Sequence, residues 1–83
     1  MSYTNLQVAE YMIEELILKG SLFPNDFVEN IENKFGKEFT DFTERGYPKI
    51  SDEVKYEFKR LLKNHESWYD KRELCWRIGV EQK

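Results

Sequence analysis

Cysteine and histidine are almost missing from this sequence, which contains one of each, Cys75 and His65. One cysteine cannot form a disulfide within the chain, so a disulfide-stapled secreted scaffold is excluded and a cytoplasmic location is expected. A lone histidine with no second histidine or cysteine beside it matches no zinc pattern. We interpret His65 as a residue near a helix end and Cys75 as a structural residue of a strand.

Long apolar runs and phosphate-binding glycine motifs are also missing. No apolar run approaches the ~20 residues that span a bilayer, and no export signal is visible at the N-terminus. The four glycines are isolated, and nothing matches a P-loop, a dinucleotide-binding loop or an EF-hand. We therefore expect a non-enzymatic protein with no cofactor, no metal, no small-molecule ligand and no membrane contact.

What the sequence does contain is charge and aromatic side chains. Its 83 residues allow one domain over 1–83, with 16% aromatic and 35% charged residues. Residues 1–44 carry nine acidic and three basic side chains, whereas residues 45–83 carry seven acidic and ten basic ones. This asymmetry favours an electrostatic contact surface in the C-terminal half, although chance explains it equally well.

Two helices are predicted in the N-terminal half. A capping box, Thr4 to Gln7, starts the first helix, and Gly20 ends it. The buried face of the first helix is predicted to contain Leu6, Ala9, Met12, Ile13, Leu16 and Ile17. Leu22-Phe23 is predicted as a brief extended segment before a second helix over 25–35, which begins after Pro24 and ends at Gly36. Its buried residues are predicted to be Phe27, Val28, Ile31 and Phe35.

The remaining elements are a connection, a third helix and a hairpin. Residues 37–50 are predicted as a connection pinned by Phe39 and Phe42, with a short strand as an alternative. Ser51 caps a helix that runs to about Lys63. Its buried stripe is predicted to be Val54, Phe58, Leu61 and Leu62, with Tyr56, Lys59 and Lys63 facing outward and Lys55 flanking them.

From Ser67 onward the apolar period becomes two, which is typical of strands. Trp68-Tyr69 is predicted to pair with a strand whose buried face holds Leu74, Trp76 and Ile78, around a turn over 70–73. Cys75 and Arg77 then lie on the opposite face. Residues 79–83 are predicted to be a frayed tail.

This order predicts an α+β fold: a small winged-helix-like domain of three helices followed by a C-terminal β-hairpin. A likeness to a family is carried by the motifs 12–16, 20–23, 31–39, 50–51 and 76–77, together with Gly46, Val54, Phe58, Leu61 and Trp68. On these residues the chain resembles a family of short bacterial and phage proteins of unknown function, over roughly residues 6–78. The resemblance implies a fold and no activity.

The candidate binding surface combines the third helix and the hairpin. It consists of Lys55, Tyr56, Lys59, Arg60, Lys63, Lys71, Arg72 and Arg77. We interpret it as a surface for another protein or a second copy of the chain, since a pI near 5.2 argues against strong nucleic-acid binding. The alternative is DNA binding through Lys55, Lys59 and Lys63 with Lys71 and Arg72 at the wing tip.

Two further interpretations of the surface stay open. In one, the helix cations serve only as a solvated face, paired with Glu53 and Glu57 at helical spacing. Aromatic residues left over after the core is filled are candidate anchors for a partner, namely Tyr3, Tyr11, Tyr47 and Trp68.

Overall fold

The computed structural model describes residues 3–80 of the protein. The elements in chain order are α1 (Asn5–Lys19), β1 (Ser21–Leu22), α2 (Pro24–Phe35), a short 3-10 helix (Lys37–Phe39), β2 (Thr40–Phe42), β3 (Pro48–Ile50), α3 (Asp52–Leu62), β4 (Ser67–Asp70) and β5 (Cys75–Ile78). Three helices and antiparallel strands make a small α+β structure. Within residues 3–80, no helix is long and apolar enough to cross a membrane. Of the predicted tail, residues 81–83 lie outside the described range.

The first helix begins and ends where the sequence predicts. The Thr4 hydroxyl accepts the Gln7 backbone N–H at 3.1 Å, and the Thr4 N–H donates to the Gln7 side chain at 2.8 Å. Gly20 closes the helix in the left-handed conformation, with φ of 80°. The predicted buried face was partly wrong, because Leu6 and Ile17 are exposed. The residues actually buried are Val8, Ala9, Met12, Ile13 and Leu16.

The second helix also follows its prediction, with Pro24 in its first turn and all four predicted apolar residues buried. The extended segment before it lies at Ser21–Leu22, one residue earlier than predicted. Residues 37–50 contain more order than a connection: β2 and β3 pair as an antiparallel hairpin. Phe39 is buried as predicted, but Phe42 is 65% exposed and does not pin the segment.

The third helix is capped by Ser51, whose hydroxyl accepts the Val54 backbone N–H at 3.4 Å. Asp52 and Glu53 follow in the first turn, where negative charge suits the helix dipole. Val54, Phe58 and Leu62 are buried, and Leu61 is half-buried against the core, which confirms the predicted stripe. This stripe packs mainly against α1.

The predicted C-terminal hairpin is present, but it belongs to a larger sheet. β5 pairs with β4 on one side and with β1 on the other, so the strand order is β1-β5-β4. Leu22 lies opposite Trp76 and Ser21 opposite Arg77. A two-stranded hairpin alone is marginally stable in water, so the short β1 segment adds a third strand where one is needed.

The prediction for the first residues of β5 was wrong. Leu74 was expected on the buried face, yet it is half exposed and belongs to the turn, and β5 starts at Cys75. Cys75 was expected on the opposite face from Trp76, which the alternation within β5 confirms, but its side chain is fully buried. The turn therefore covers 71–74 and includes Leu74, which the alternating apolar pattern had placed in the strand.

The buried part of α3 generates a stability prediction. Phe58 is 2% exposed, so Phe58→Ala should lower the free energy of unfolding by about 3–5 kcal/mol through lost burial and a cavity. Tyr56→Ala, two residues away on the exposed face, should change it by less than about 0.5 kcal/mol. Urea titrations of both variants measure this, and Phe58→Leu gives a milder comparison should the alanine variant not fold. Equal losses at positions 56 and 58 would contradict the orientation of α3.

Candidate functional site

The outer face of α3 presents the side chains that the sequence nominated. Tyr56 is 67% exposed, and Lys59, Arg60 and Lys63 are exposed around it. Lys55 is half-buried at the flank of this face, as predicted. Asp52 and Glu53 lie one turn before Tyr56, and Lys59 and Arg60 lie one turn after it, so the cations flank the tyrosine on its C-terminal side.

Ion pairing within α3 is sparser than helical spacing suggested. Arg60 pairs with Glu57 at 2.6 Å, three residues apart. Within residues 3–80, Lys55, Lys59 and Lys63 have no carboxylate within 4.0 Å, so the network expected with Glu53 and Glu57 does not form through the lysines. In this part of the chain, the charge of these lysines is not offset by an ion pair.

A groove separates α3 from the C-terminal hairpin, with a volume of about 380 Å³. We call it the α3–hairpin groove. Its walls come from α1, the start of α2, β3, α3 and the hairpin: Met12, Pro24, Asn25, Ile50, Lys55, Phe58, Lys59, Tyr69, Leu74 and Trp76. No acidic residue lines it. Its volume lies within the range of about 300–1,000 Å³ typical of ligand pockets.

Aromatic side chains form much of this groove. Trp76 contacts Phe58 edge to face, with ring centroids 5.8 Å apart, and contacts Tyr69 in the same way at 5.1 Å. Tyr69 lies directly opposite Trp76 in the β4–β5 ladder, so backbone pairing fixes their contact. The sequence prediction of aromatic pairs across the hairpin is confirmed, but it could not show that these pairs face a groove.

Leu74 has an unusual backbone conformation at the edge of the groove. Its φ is 56°, and among residues 3–80 it is the one non-glycine residue with positive φ. This left-handed conformation costs an L-residue roughly 1–2 kcal/mol. The side chain does not recover that cost by burial, because it is 52% exposed and lines the groove.

Asp70 organises the hairpin tip. One of its carboxylate oxygens accepts the backbone N–H groups of Arg72 at 2.9 Å and Glu73 at 3.2 Å, and the other accepts Arg77 Nε at 2.9 Å. Arg77 is thus half-buried and paired with Asp70, unlike the exposed cations of the candidate surface. Lys71 and Arg72 are exposed at the turn, and within residues 3–80 neither has a carboxylate partner.

Two residues with potentially reactive side chains are Cys75, in β5, and His65, which follows α3. Burial raises the pKa of the Cys75 thiol, outweighing the nearby Arg77, so the protonated and unreactive form is favoured. His65 is exposed just after α3, and its backbone N–H donates to Leu62 O at 3.0 Å. Within the described part of the chain, no group of three potential metal ligands is found.

The candidate aromatic anchors divide into two groups. Tyr11 of α1 stacks on Phe27 of α2 at 5.5 Å, and Tyr3, which precedes α1, packs edge to face on Phe35 at 4.8 Å. Trp68 is half-buried. Tyr47, 66% exposed in the β2–β3 turn, matches Tyr56 in exposure and lies outside the lining of the α3–hairpin groove.

The fold and the groove together define a class: a small α+β protein whose third helix lies beside a three-stranded antiparallel sheet. The chain belongs to a family of unknown function, DUF6953, whose model matches residues 4–78. This confirms the sequence-based resemblance to a family of unknown function. Searches among curated proteins and among solved structures gave no match.

The Asp70 network generates a prediction for pH dependence. Hydrogen bonds from Arg77, and then from the backbone N–H groups of Glu73 and Arg72, lower the pKa of Asp70. A carboxyl group with a lower pKa in the folded state stabilises the fold above the pKa of free aspartate, about 3.9, and this contribution is lost as the pH falls through the folded value. The stability advantage of the wild type over Asp70→Asn should therefore shrink on acidification.

Urea unfolding of both proteins between neutral and strongly acidic pH measures this difference. Arg77→Gln removes the largest cause of the lowered pKa, so in that background the effect of Asp70→Asn should depend less on pH. A difference that stays constant across the range would show that the ion pair does not couple to folding.

Proposed function

We propose that this protein is a non-enzymatic binding module that contacts another protein through α3 and the C-terminal hairpin. The observation that carries the proposal is the α3–hairpin groove, which joins an apolar aromatic wall to two lysines without carboxylate partners in residues 3–80. Exposed Tyr56 extends this surface along α3. Aromatic anchors surrounded by polar groups are the usual arrangement of energetically important interface residues.

We also propose that the fold is of winged-helix type and that the protein is a cytoplasmic one of bacterial or phage origin. Support for the fold comes from the order α1, β1, α2, α3, β4, β5 and from the pairing of β1 with β5. The β2–β3 hairpin is inserted between α2 and α3. One buried free thiol is consistent with a reducing compartment.

A matched pair of double variants tests the surface. Tyr56→Ala with Lys59→Glu should abolish capture of a partner from an extract of the source cells by the immobilised protein, because both side chains belong to the proposed interface. Tyr47→Ala with Lys37→Glu removes an equally exposed tyrosine and reverses an exposed lysine elsewhere, and it should leave capture intact. Quantitative mass spectrometry of the captured proteins measures both outcomes.

The same variants separate the alternatives. Loss of the captured protein with the Tyr47 pair, but not with the Tyr56 pair, would move the interface to the β2–β3 turn and refute the proposal. Sedimentation over a range of protein concentrations shows whether the partner is a second copy. In that case the Tyr56 pair should shift the protein toward the monomer.

DNA binding is the second candidate, and one observation favours it. Five cations on α3 and the hairpin tip have no carboxylate within 4.0 Å among residues 3–80, namely Lys55, Lys59, Lys63, Lys71 and Arg72. About three to five phosphate contacts would give a slope of roughly −3 to −4.5 in a plot of log affinity against log salt. The formal net charge of −3 disfavours this reading relative to a protein partner.

A mobility-shift assay on mixed duplex DNA decides between the two. We expect no binding at about 50 mM salt, where the electrostatic contribution is strong. Binding that weakens steeply with salt, and that is lost in Lys59→Glu with Lys63→Glu while the fold is retained, would establish the DNA alternative instead. Circular dichroism of the variant provides the control for folding.

A further inference from the structure

We propose that the α3–hairpin groove binds an acidic peptide segment, which inserts one bulky apolar side chain beside Trp76 and places a flanking carboxylate near Lys55 or Lys59. This inference rests on the proposed protein-binding function and specifies the chemistry of the partner. It is carried by three features of the groove: its apolar interior, the sign of its charge and the conformation of Leu74.

The size and lining of the groove fit one large apolar side chain. At about 380 Å³ it lies near the lower end of the range for ligand pockets, about 300–1,000 Å³. Met12, Ile50, Phe58 and Trp76 supply apolar surface. Trp76 is held from two sides by Phe58 and Tyr69, so its ring is a rigid contact surface.

The charge of the groove selects the sign of the partner. Lys55 and Lys59 line it, no carboxylate does, and within residues 3–80 neither lysine forms an ion pair. Pro24 and Asn25 place the N-terminal end of α2 at the same groove. That end carries the positive pole of the helix dipole, but Asp26 in the same turn partly offsets it, so the attraction for a carboxylate comes from the two lysines. An acidic segment is the complementary partner, whereas a basic one would be repelled.

Leu74 gives a third, independent argument. Backbone strain that burial does not offset is a recognised mark of functional positions. Leu74 adopts the left-handed conformation while half of its side chain stays exposed on the groove wall. In the proposed complex this exposed apolar surface is covered by the inserted side chain of the peptide.

The test is an NMR titration of the full chain with a short blocked peptide that has a central Leu-Phe pair flanked by Asp and Glu. We expect the indole N–H resonance of Trp76 to shift as the peptide is added and to stop shifting once the site is saturated. The indole of Trp68 lies on the opposite face of the sheet and serves as an internal control that should stay in place. A peptide with Asn and Gln in place of the acids should bind at least about tenfold more weakly, because it lacks the negative charge. A peptide with Ser in place of the Leu-Phe pair should also lose binding.

Two charge-reversal variants separate a site from general electrostatics. Lys55→Glu with Lys59→Glu should weaken binding by at least about tenfold, because both lysines line the groove. Lys37→Glu with Arg45→Glu changes the net charge equally at exposed residues outside both the groove and the candidate binding surface, and it should weaken binding less than about threefold. Equal losses in the two variants would overturn the proposal.

A third variant separates binding from folding. Leu74→Gly relieves the left-handed strain, so the variant should be at least as stable in urea as the wild type while binding the acidic peptide more weakly. Unchanged peptide affinity in this variant would overturn the role given to Leu74. Equal binding of the acidic and amide peptides, or movement of Trp68 in place of Trp76, would overturn the site itself.

The outcome also distinguishes this inference from the broader proposal. If Trp76 does not respond to the acidic peptide, but capture of a partner still depends on Tyr56 and Lys59, the peptide inference fails and the interface stands. If duplex DNA moves the Trp76 resonance while the acidic peptide does not, both fail in favour of nucleic acid.

Discussion

The contact between Phe58 and Trp76 is the constraint on which the rest of the structure depends. Phe58 belongs to the buried stripe of α3 and contacts the sheet at Trp76. Trp76 lies in the central strand β5, opposite Leu22 of β1 on one side and Tyr69 of β4 on the other. One side of α3 packs on α1, and the Phe58–Trp76 contact joins α3 to the sheet. Since both rings also line the groove, the same contact stabilises the domain and forms the candidate site.

The distribution of charge follows from this arrangement. The sheet and α1 cover the apolar side of α3, so its lysines are left on the solvent side or at the groove edge. Arg60 and Arg77 have carboxylate partners, whereas Lys55 and Lys59 have none among residues 3–80. A chain with an overall negative charge thus presents, within residues 3–80, lysines without carboxylate partners along α3 and the edge of the groove.

Local signals made the helices predictable, and non-local contacts made the groove unpredictable. Thr4, Gly20, Pro24 and Ser51 act through hydrogen bonds or backbone preferences within a turn, so their effects can be read directly. The prediction that Leu74 lies in β5 was wrong because Asp70 accepts the backbone N–H groups of Arg72 and Glu73 at the hairpin tip. The turn therefore includes Leu74, and β5 starts one residue later than predicted. β1 is too short to show a period. The lining of the groove comes from five separate parts of the chain, and no spacing in the sequence brings them together.

The pairing of Ser21 with Arg77 has a consequence for how the protein reaches its native state. During synthesis β1 leaves the ribosome long before β5, and it has no strand to pair with until β5 emerges. The helices can begin to form from their own caps, but closing the sheet requires a long loop of chain to be brought together, which slows the final step. The contact of Trp76 with Phe58 and Tyr69, which forms the aromatic side of the groove, is therefore assembled last.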